Sequence, residues 1–258
     1  MPLPEKQHDF WVATADELID RISLLQSGAL ATAVVGHQNS SIADLLKKRF
    51  PEFPVQSFSY SEKALNHLTD SQNQTDSLSD SSFDLPFESD SMDLVISNLI
   101  ISFLPLPTFA RECFRVLRDG GVLLTSAFGP DSFKELELAS RQLSSIEFRA
   151  SFGDMHNFGD LLLATGFTNP VVDTDRGLYS YADIETLYKQ ISDAGLASLL
   201  FTNSEKLNKS GTLTELLGHY SNVQEKTRTL LLTIEVFYGI AWKKSASRGT
   251  ATVPFQAN

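Results

Sequence analysis

The sequence predicts an α/β protein built on a doubly wound, mostly parallel sheet, with an antiparallel final strand and a small helical cap. Three observations carry that expectation. Residues 31–50, ATAVVGHQNSSIADLLKKRF, read as strand, tight turn at Gly36 and helix, with Ile42, Leu45 and Leu46 at helical spacing and Lys47-Lys48-Arg49 in the last turn. Strand and helix patterns then alternate with short turns, as in parallel sheets with crossover helices. Residues 230–242, LLLTIEVFYGIAW, form a long β-type run that fits a closing antiparallel strand.

The elements follow in order. Leu18, Ile19, Ile22 and Leu25 give an amphipathic helix over residues 16–26, leading into the first strand at 31–35. A second strand is expected at 55–60 and a helix at 62–68. Residues 69–82, TDSQNQTDSLSDSS, lack aromatic side chains and read as a flexible surface insertion, followed by a short edge strand near Phe83. Residues 92–98, MDLVISN, form an apolar strand, and Pro105 and Pro107 break the chain after it. A helix over 108–117 runs through Phe109, Cys113, Phe114 and Leu117. Arg118-Asp119-Gly120-Gly121 supplies its glycine cap and turn, and 122–128 is a buried strand. Gly129-Pro130-Asp131 opens another helix through Leu136, Leu138 and Leu143. Residues 155–164 are helical up to Gly166, 171–174 a strand and 181–192 a helix. Residues 196–217, mixed helix and turn, form the cap. Residues 1–244 are expected to make one domain, and 245–258 a disordered tail.

Composition excludes several classes. A net charge of −11 and a pI near 4.9 argue against nucleic acid, whose phosphates need a basic surface. Residues 64–110 hold seven acids and no Lys or Arg, which reads as a solvated acidic edge. Mean hydropathy is −0.09, and no apolar run approaches the roughly 18 residues of a membrane span. MPLPEKQHDF does not read as a signal peptide, and one cysteine, Cys113, excludes an internal disulfide. A cytoplasmic protein is expected. Five histidines and this cysteine show no metal-ligand spacing, so no metal is expected. There is no Gly-x-Ser-x-Gly elbow, and no Gly-x-Gly-x-x-Gly follows a strand.

An ordered series of motifs resembles a known family. Leu85-Pro86-Phe87 precedes Met92-Asp93-Leu94-Val95-Ile96-Ser97-Asn98, and Arg115-Val116-Leu117-Arg118-Asp119-Gly120-Gly121 precedes Val122. Ser126-Ala127-Phe128-Gly129-Pro130-Asp131-Ser132 leads to Glu135-Leu136, then to Asp154-Met155-His156-Asn157-Phe158-Gly159-Asp160. Ala164-Thr165-Gly166-Phe167, Pro170-Val171-Val172-Asp173 and Glu235-Val236-Phe237-Tyr238-Gly239-Ile240-Ala241-Trp242-Lys243 complete it. The chain is thereby similar to class I S-adenosylmethionine methyltransferases, more narrowly to the malonyl-ACP O-methyltransferases of biotin synthesis. The resemblance implies a seven-stranded sheet, S-adenosylmethionine as cofactor, and an acyl carrier protein thioester as substrate. A mitochondrial complex I assembly factor resembles the same family, so kinship leaves the acceptor open.

The resemblance places the first cofactor loop at Gly36 and the ribose end of the second strand at Ser59, with Asp80 toward the adenine amine; Asn39, Ser40 and Ser59 are the residues that would rebuild lost contacts, and Asn98 ends a strand where open α/β sheets bind ligands. The chain departs from the family there. Val34 stands where an acid precedes the first glycine, Gln38 and Ser40 stand at the next two glycine positions, and Ser59 replaces the acid that receives the ribose hydroxyls. Side chains on this loop thicken it against a ligand, and loss of a charged acceptor removes roughly 1.5–3 kcal/mol. Gly36 is thus open to two readings, turn glycine or cofactor contact, and Asn98 to a turn-forming alternative. Phe128 and His156 are candidates on the substrate side, His156 with helix-start packing beside Asp154 as the plainer role. Lys134, Arg141 and Arg149 are candidates for docking an acidic carrier, or simply solvated helix faces. Two functions follow: methyl transfer, or a methyltransferase-fold protein that has lost its cofactor and serves as a carrier-binding or assembly partner.

Overall fold

The computed structural model describes residues 5–6, 9–23, 25, 30–37, 42–61, 64–65, 84–207, 211–220 and 229–244. Helix α1 (Phe10–Ile22) begins six residues before the apolar pattern predicts. Its true stripe is Phe10, Thr14, Leu18 and Ile22, and Thr14 conceals it. The Thr14 hydroxyl donates to the Phe10 carbonyl at 2.9 Å, so a polar residue is buried at no unmet cost. Asp9 caps the helix by accepting from the Trp11 amide at 2.7 Å.

Strand β2 (Thr32–His37), helix α2 (Ile42–Arg49) and strand β3 (Val55–Tyr60) form the expected opening unit. The helix expected at 62–68 falls mostly outside the described residues, and the 69–82 insertion, the strand near Phe83 and the 245–258 tail fall wholly outside them. Strand β4 (Met92–Ser97) is followed by a 3-10 turn over Ile100–Phe103 and helix α3 (Leu106–Val116). Strand β5 (Leu117–Phe128) begins directly after α3. The glycine cap read from Gly120-Gly121 is therefore corrected. Leu117 is already extended (φ −70°, ψ 139°) and pairs with Met92, so residues 118–121 bulge out between Leu117↔Met92 and Val122↔Leu94. Gly120 supplies the left-handed turn of that bulge (φ 79°).

Helix α4 (Lys134–Ser140) stops short of Leu143, and a two-residue strand β6 (Glu147–Phe148) follows. Helix α5 (Met155–Thr165) ends as expected at Gly166, left-handed at φ 110°. Strand β7 (Phe167–Tyr181) is fifteen residues long where the pattern suggested four. Asn169 (φ 51°) and Pro170 make an irregularity between Thr168 and Val171, which hides the strand without ending it. Helix α6 (Ile184–Asp193) starts after Asp183 because that carboxylate accepts from the Thr186 amide at 2.7 Å. The cap region holds α7 (Ala197–Leu200), β8 (Phe201–Thr202, paired with β6) and α8 (Thr212–Gly218). Strand β9 (Leu230–Lys243) closes the chain's described part.

The main sheet has seven strands in the order β1-β7-β9-β5-β4-β2-β3, β1 being the unanticipated pair Glu5–Lys6 beside β7. Strands β2 to β5 are mutually parallel, and β9 lies antiparallel between β5 and β7. Under the carboxyl end of β5, Phe10, Phe128 and Phe133 meet edge to face, with centroids 4.9–5.9 Å apart. Burial stabilises each ring by about 1.5–3 kcal/mol. At Gly239 a Cβ would lie 2.5 Å from the Phe158 ring, so glycine there lets α5 settle on β9.

Candidate functional site

In a doubly wound sheet, ligands bind outside the carboxyl ends of the strands where the strand order reverses. Here that point lies between β2 and β4. The two strands pair from Thr32↔Leu94 to Val34↔Ile96 and then part. Meanwhile β2 stays paired to β3 as far as His37↔Tyr60, and β4 to β5 as far as Ser97↔Thr125. The end of β2 there carries Gly36, and Asn98 follows directly on the end of β4.

Gly36 is buried, and its register partner across β3 is Ser59, which is exposed at the strand's end. The structure brings these two expected site residues together. Asn39, Ser40 and Asp80 lie outside the described residues. The Asn98 side chain is fully buried and engaged within the protein. Its Nδ2 donates to the Trp11 carbonyl at 3.1 Å, and its Oδ1 accepts from the Ser126 hydroxyl at 2.8 Å. Ser126 Oγ in turn accepts from the Leu99 amide at 3.0 Å. That contact holds Leu99 in the left-handed region (φ 60°), a conformation that costs a bulky residue roughly 1–3 kcal/mol. Asn98 thus clamps α1 and β5 onto the turn that leaves β4.

Trp11, Leu99 and Ser126 were not singled out in the sequence. Only Ser126 left a trace, as the first residue of a family motif. Glu235 likewise stands at the start of a family motif. Its carboxylate accepts from the Asp131 amide at 2.9 Å, and its backbone exchanges bonds with Ser132 Oγ at 2.7 and 3.0 Å. A Cβ at Gly129 would lie 2.6 Å from the Glu235 side chain. The Gly129–Ser132 turn beyond β5 is therefore fastened to β9, which explains why two motifs far apart in the chain belong together.

Comparison with known proteins decides the family. A model of the methyltransferase domain matches residues 34–125, which span β2 to β5. The chain is 30% identical over 249 residues to malonyl-acyl-carrier-protein O-methyltransferase 1 of Coxiella burnetii, covering 94% of this chain and 86% of that protein. The chain belongs to the malonyl-acyl-carrier-protein O-methyltransferase family. A member from Laribacter hongkongensis is 27% identical over 243 residues, covering 90% and 82% of the two chains. The human mitochondrial arginine-hydroxylase NDUFAF5 is also related, at 27% over 209 residues, covering 75% of this chain and 60% of that one. Among solved structures, the YcgJ protein of Bacillus subtilis superposes with a TM-score of 0.51 at 11% identity, over 90% of this chain and all of that one. The cyclase SpnF gives 0.50 at 13%, over 90% and 82%. These establish the shared fold.

Within this malonyl-acyl-carrier-protein O-methyltransferase fold the remaining candidates separate. Phe128 ends β5, is 1% exposed, and forms the floor of a cleft of about 420 Å³ beside the turn that follows β4. His156 is exposed in the first turn of α5, where Asp154 caps the helix by accepting from the His156 and Asn157 amides at 2.9 Å each. Lys134 opens α4 and Arg141 is its C-cap residue. Arg141 donates to Glu137 at 2.6 Å and lines a polar cleft of about 590 Å³ with residues of β6 and β8. Arg149 instead reaches the Leu199 carbonyl at 3.5 Å and belongs to the cap. The three cations do not share one element.

At the carboxyl end of β2 a buried glycine lies in register with Ser59 of β3, which is exposed. The partners supplied at these described positions are backbone and neutral oxygen, not a carboxylate. Among the described residues no group of His, Cys, Asp and Glu could hold a metal ion, and no helix is long and apolar enough to cross a membrane.

Proposed function

We propose that this chain transfers a methyl group from S-adenosylmethionine to the free carboxylate of a malonyl thioester on acyl carrier protein, a reaction of biotin synthesis. The observation that supports the reading is that β2–β4 pairing ends at Val34↔Ile96, where the strand order reverses and doubly wound sheets bind ligands, in a chain of this family. Gly36 would give the cofactor close backbone approach, and Ser59 a hydroxyl for the ribose. When bound, the cofactor supplies a methyl on a positively charged sulfur.

The chain's own residues have modest chemistry to do. The acceptor carboxylate is ionised near neutral pH, so no general base is required. What remains is alignment and exclusion of water. The Asn98–Ser126–Trp11 clamp serves alignment by fixing the turn after β4 against α1 and β5. The Glu235 fastening does the same for the turn after β5.

A second reading is favoured by Gln38, Ser40 and Ser59: a methyltransferase-fold protein without cofactor that binds a carrier or an assembly partner. Mass spectrometry of malonyl-acyl carrier protein incubated with the protein and S-adenosylmethionine separates the two. Methyl transfer is expected to replace the carboxyl hydrogen by methyl, a net gain of one CH2 on the acyl arm. An unchanged carrier that still binds the protein would support the second reading.

A further inference from the structure

We propose that Ser59 leaves the ribose hydroxyls of the cofactor unselected, so that this chain takes adenosyl sulfoniums and thioethers that lack either hydroxyl. The inference rests on the methyl-transfer reading and defines the class of cofactor that its site admits.

In doubly wound folds that bind a nucleoside, an acid about 20 residues beyond the glycine turn of the first unit receives a ribose hydroxyl. Here the residue in register with Gly36 is Ser59, last but one in β3. Neither β2 (TAVVGH) nor β3 (VQSFSY) carries an acid anywhere along its length. Phe58 and Tyr60 meet edge to face with ring centroids 4.9 Å apart, and Tyr60 is buried. Side chains alternate along a strand, so Ser59 lies on the other face, where it is exposed.

Two consequences separate this position from a carboxylate. A carboxylate offers two oxygens and charge-assisted bonds, one for each ribose hydroxyl, whereas serine offers one neutral oxygen and a weaker bond. The second consequence weighs more. A site strongly rejects a ligand that lacks a hydroxyl when its own polar group is left buried and unpaired. Ser59 is exposed, so water replaces the missing hydroxyl at little cost.

Calorimetric titration of the wild type and of Ser59→Asp compares S-adenosylhomocysteine with analogues lacking one or the other ribose hydroxyl. The thioether is used because it has no sulfonium charge for an added carboxylate to attract. For the wild type, each analogue is expected to bind within about tenfold of the parent, the range of a neutral hydrogen bond. Ser59→Asp is expected to tighten the parent about tenfold or more and to leave the analogues near their wild-type affinity. Melting temperature without ligand checks the fold of the variant, and the wild-type comparison stands without it. Analogues bound more than about tenfold more weakly than the parent by the wild type would overturn the inference while leaving methyl transfer standing. So would a folded Ser59→Asp protein that binds parent and analogues alike, since the ribose would then lie elsewhere. A wild type that binds none of these ligands would overturn the cofactor reading beneath, and the inference with it.

Discussion

Replacing Gly36 by valine is expected to weaken S-adenosylmethionine binding by at least about a hundredfold, equivalent to roughly 3 kcal/mol. The argument is geometric. Position 36 lies two residues past the last pairing of β2 with β4, at the strand ends where the cofactor is proposed to sit. It is nevertheless buried, and on its other side it stays in register with Ser59. A β-branched side chain suits a strand, so the sheet is expected to persist. What it removes is the close backbone approach that glycine gives a ligand. Calorimetric titration reads the affinity, and thermal unfolding checks that the fold is retained. Unchanged affinity in a folded variant would remove the cofactor from these strand ends.

Glu112→Ala is expected to lower stability by about 2–4 kcal/mol, read as the shift in urea midpoint. Glu112 is 9% exposed and accepts from Arg115 Nε and Nη2 at 2.7 Å each and from the Leu85 amide at 2.8 Å. Arg115 also donates to the Phe87 carbonyl at 2.9 Å and the Leu85 carbonyl at 3.0 Å. The pair therefore staples Leu85-Pro86-Phe87 to α3 just before β4 begins. Truncation leaves a buried amide and part of a guanidinium without an acceptor; the guanidinium's one-third exposure argues for the lower half of the range.

The same contact fixes the pH dependence. The hydrogen bonds from Arg115, then the Leu85 amide, hold the Glu112 carboxyl below its ordinary range against the opposing effect of burial. A group whose folded value is depressed contributes its full stability above the unfolded carboxylate value, about 4.3, and loses it as pH falls through the folded value. The gap between wild type and variant should be constant above about pH 5 and close in acid. A gap that widened in acid would contradict the assignment.

Much of this architecture was legible because apolar runs and turn residues agree. The β2–Gly36–α2 unit, β4, β9 and the Gly166 stop of α5 all carry both signals. Elements were misread where one residue served two purposes. Thr14 satisfies its hydroxyl within α1 and so hides a buried stripe, while Asn169-Pro170 interrupts β7 without ending it. Gly120-Gly121 looks like a helix cap and is instead a bulge inside β5, because Leu117 is already paired with Met92. The candidate site mixes positions named by sequence with contacts that only the fold makes. Gly36 and Ser59 are named by the family resemblance, and their pairing across β2 and β3 comes from the register. The partner of Asn98 is the carbonyl of Trp11, 87 residues earlier, and no local pattern encodes a bond of that span.

The departures at Gln38, Ser40 and Ser59 make cofactor binding the central claim. Titration of the wild-type protein with S-adenosylmethionine and S-adenosylhomocysteine by calorimetry, with thermal stabilisation measured alongside, tests it most directly. Saturable binding of both at micromolar ligand, with a higher melting temperature, is the predicted result. No heat and no stabilisation at millimolar ligand would contradict it.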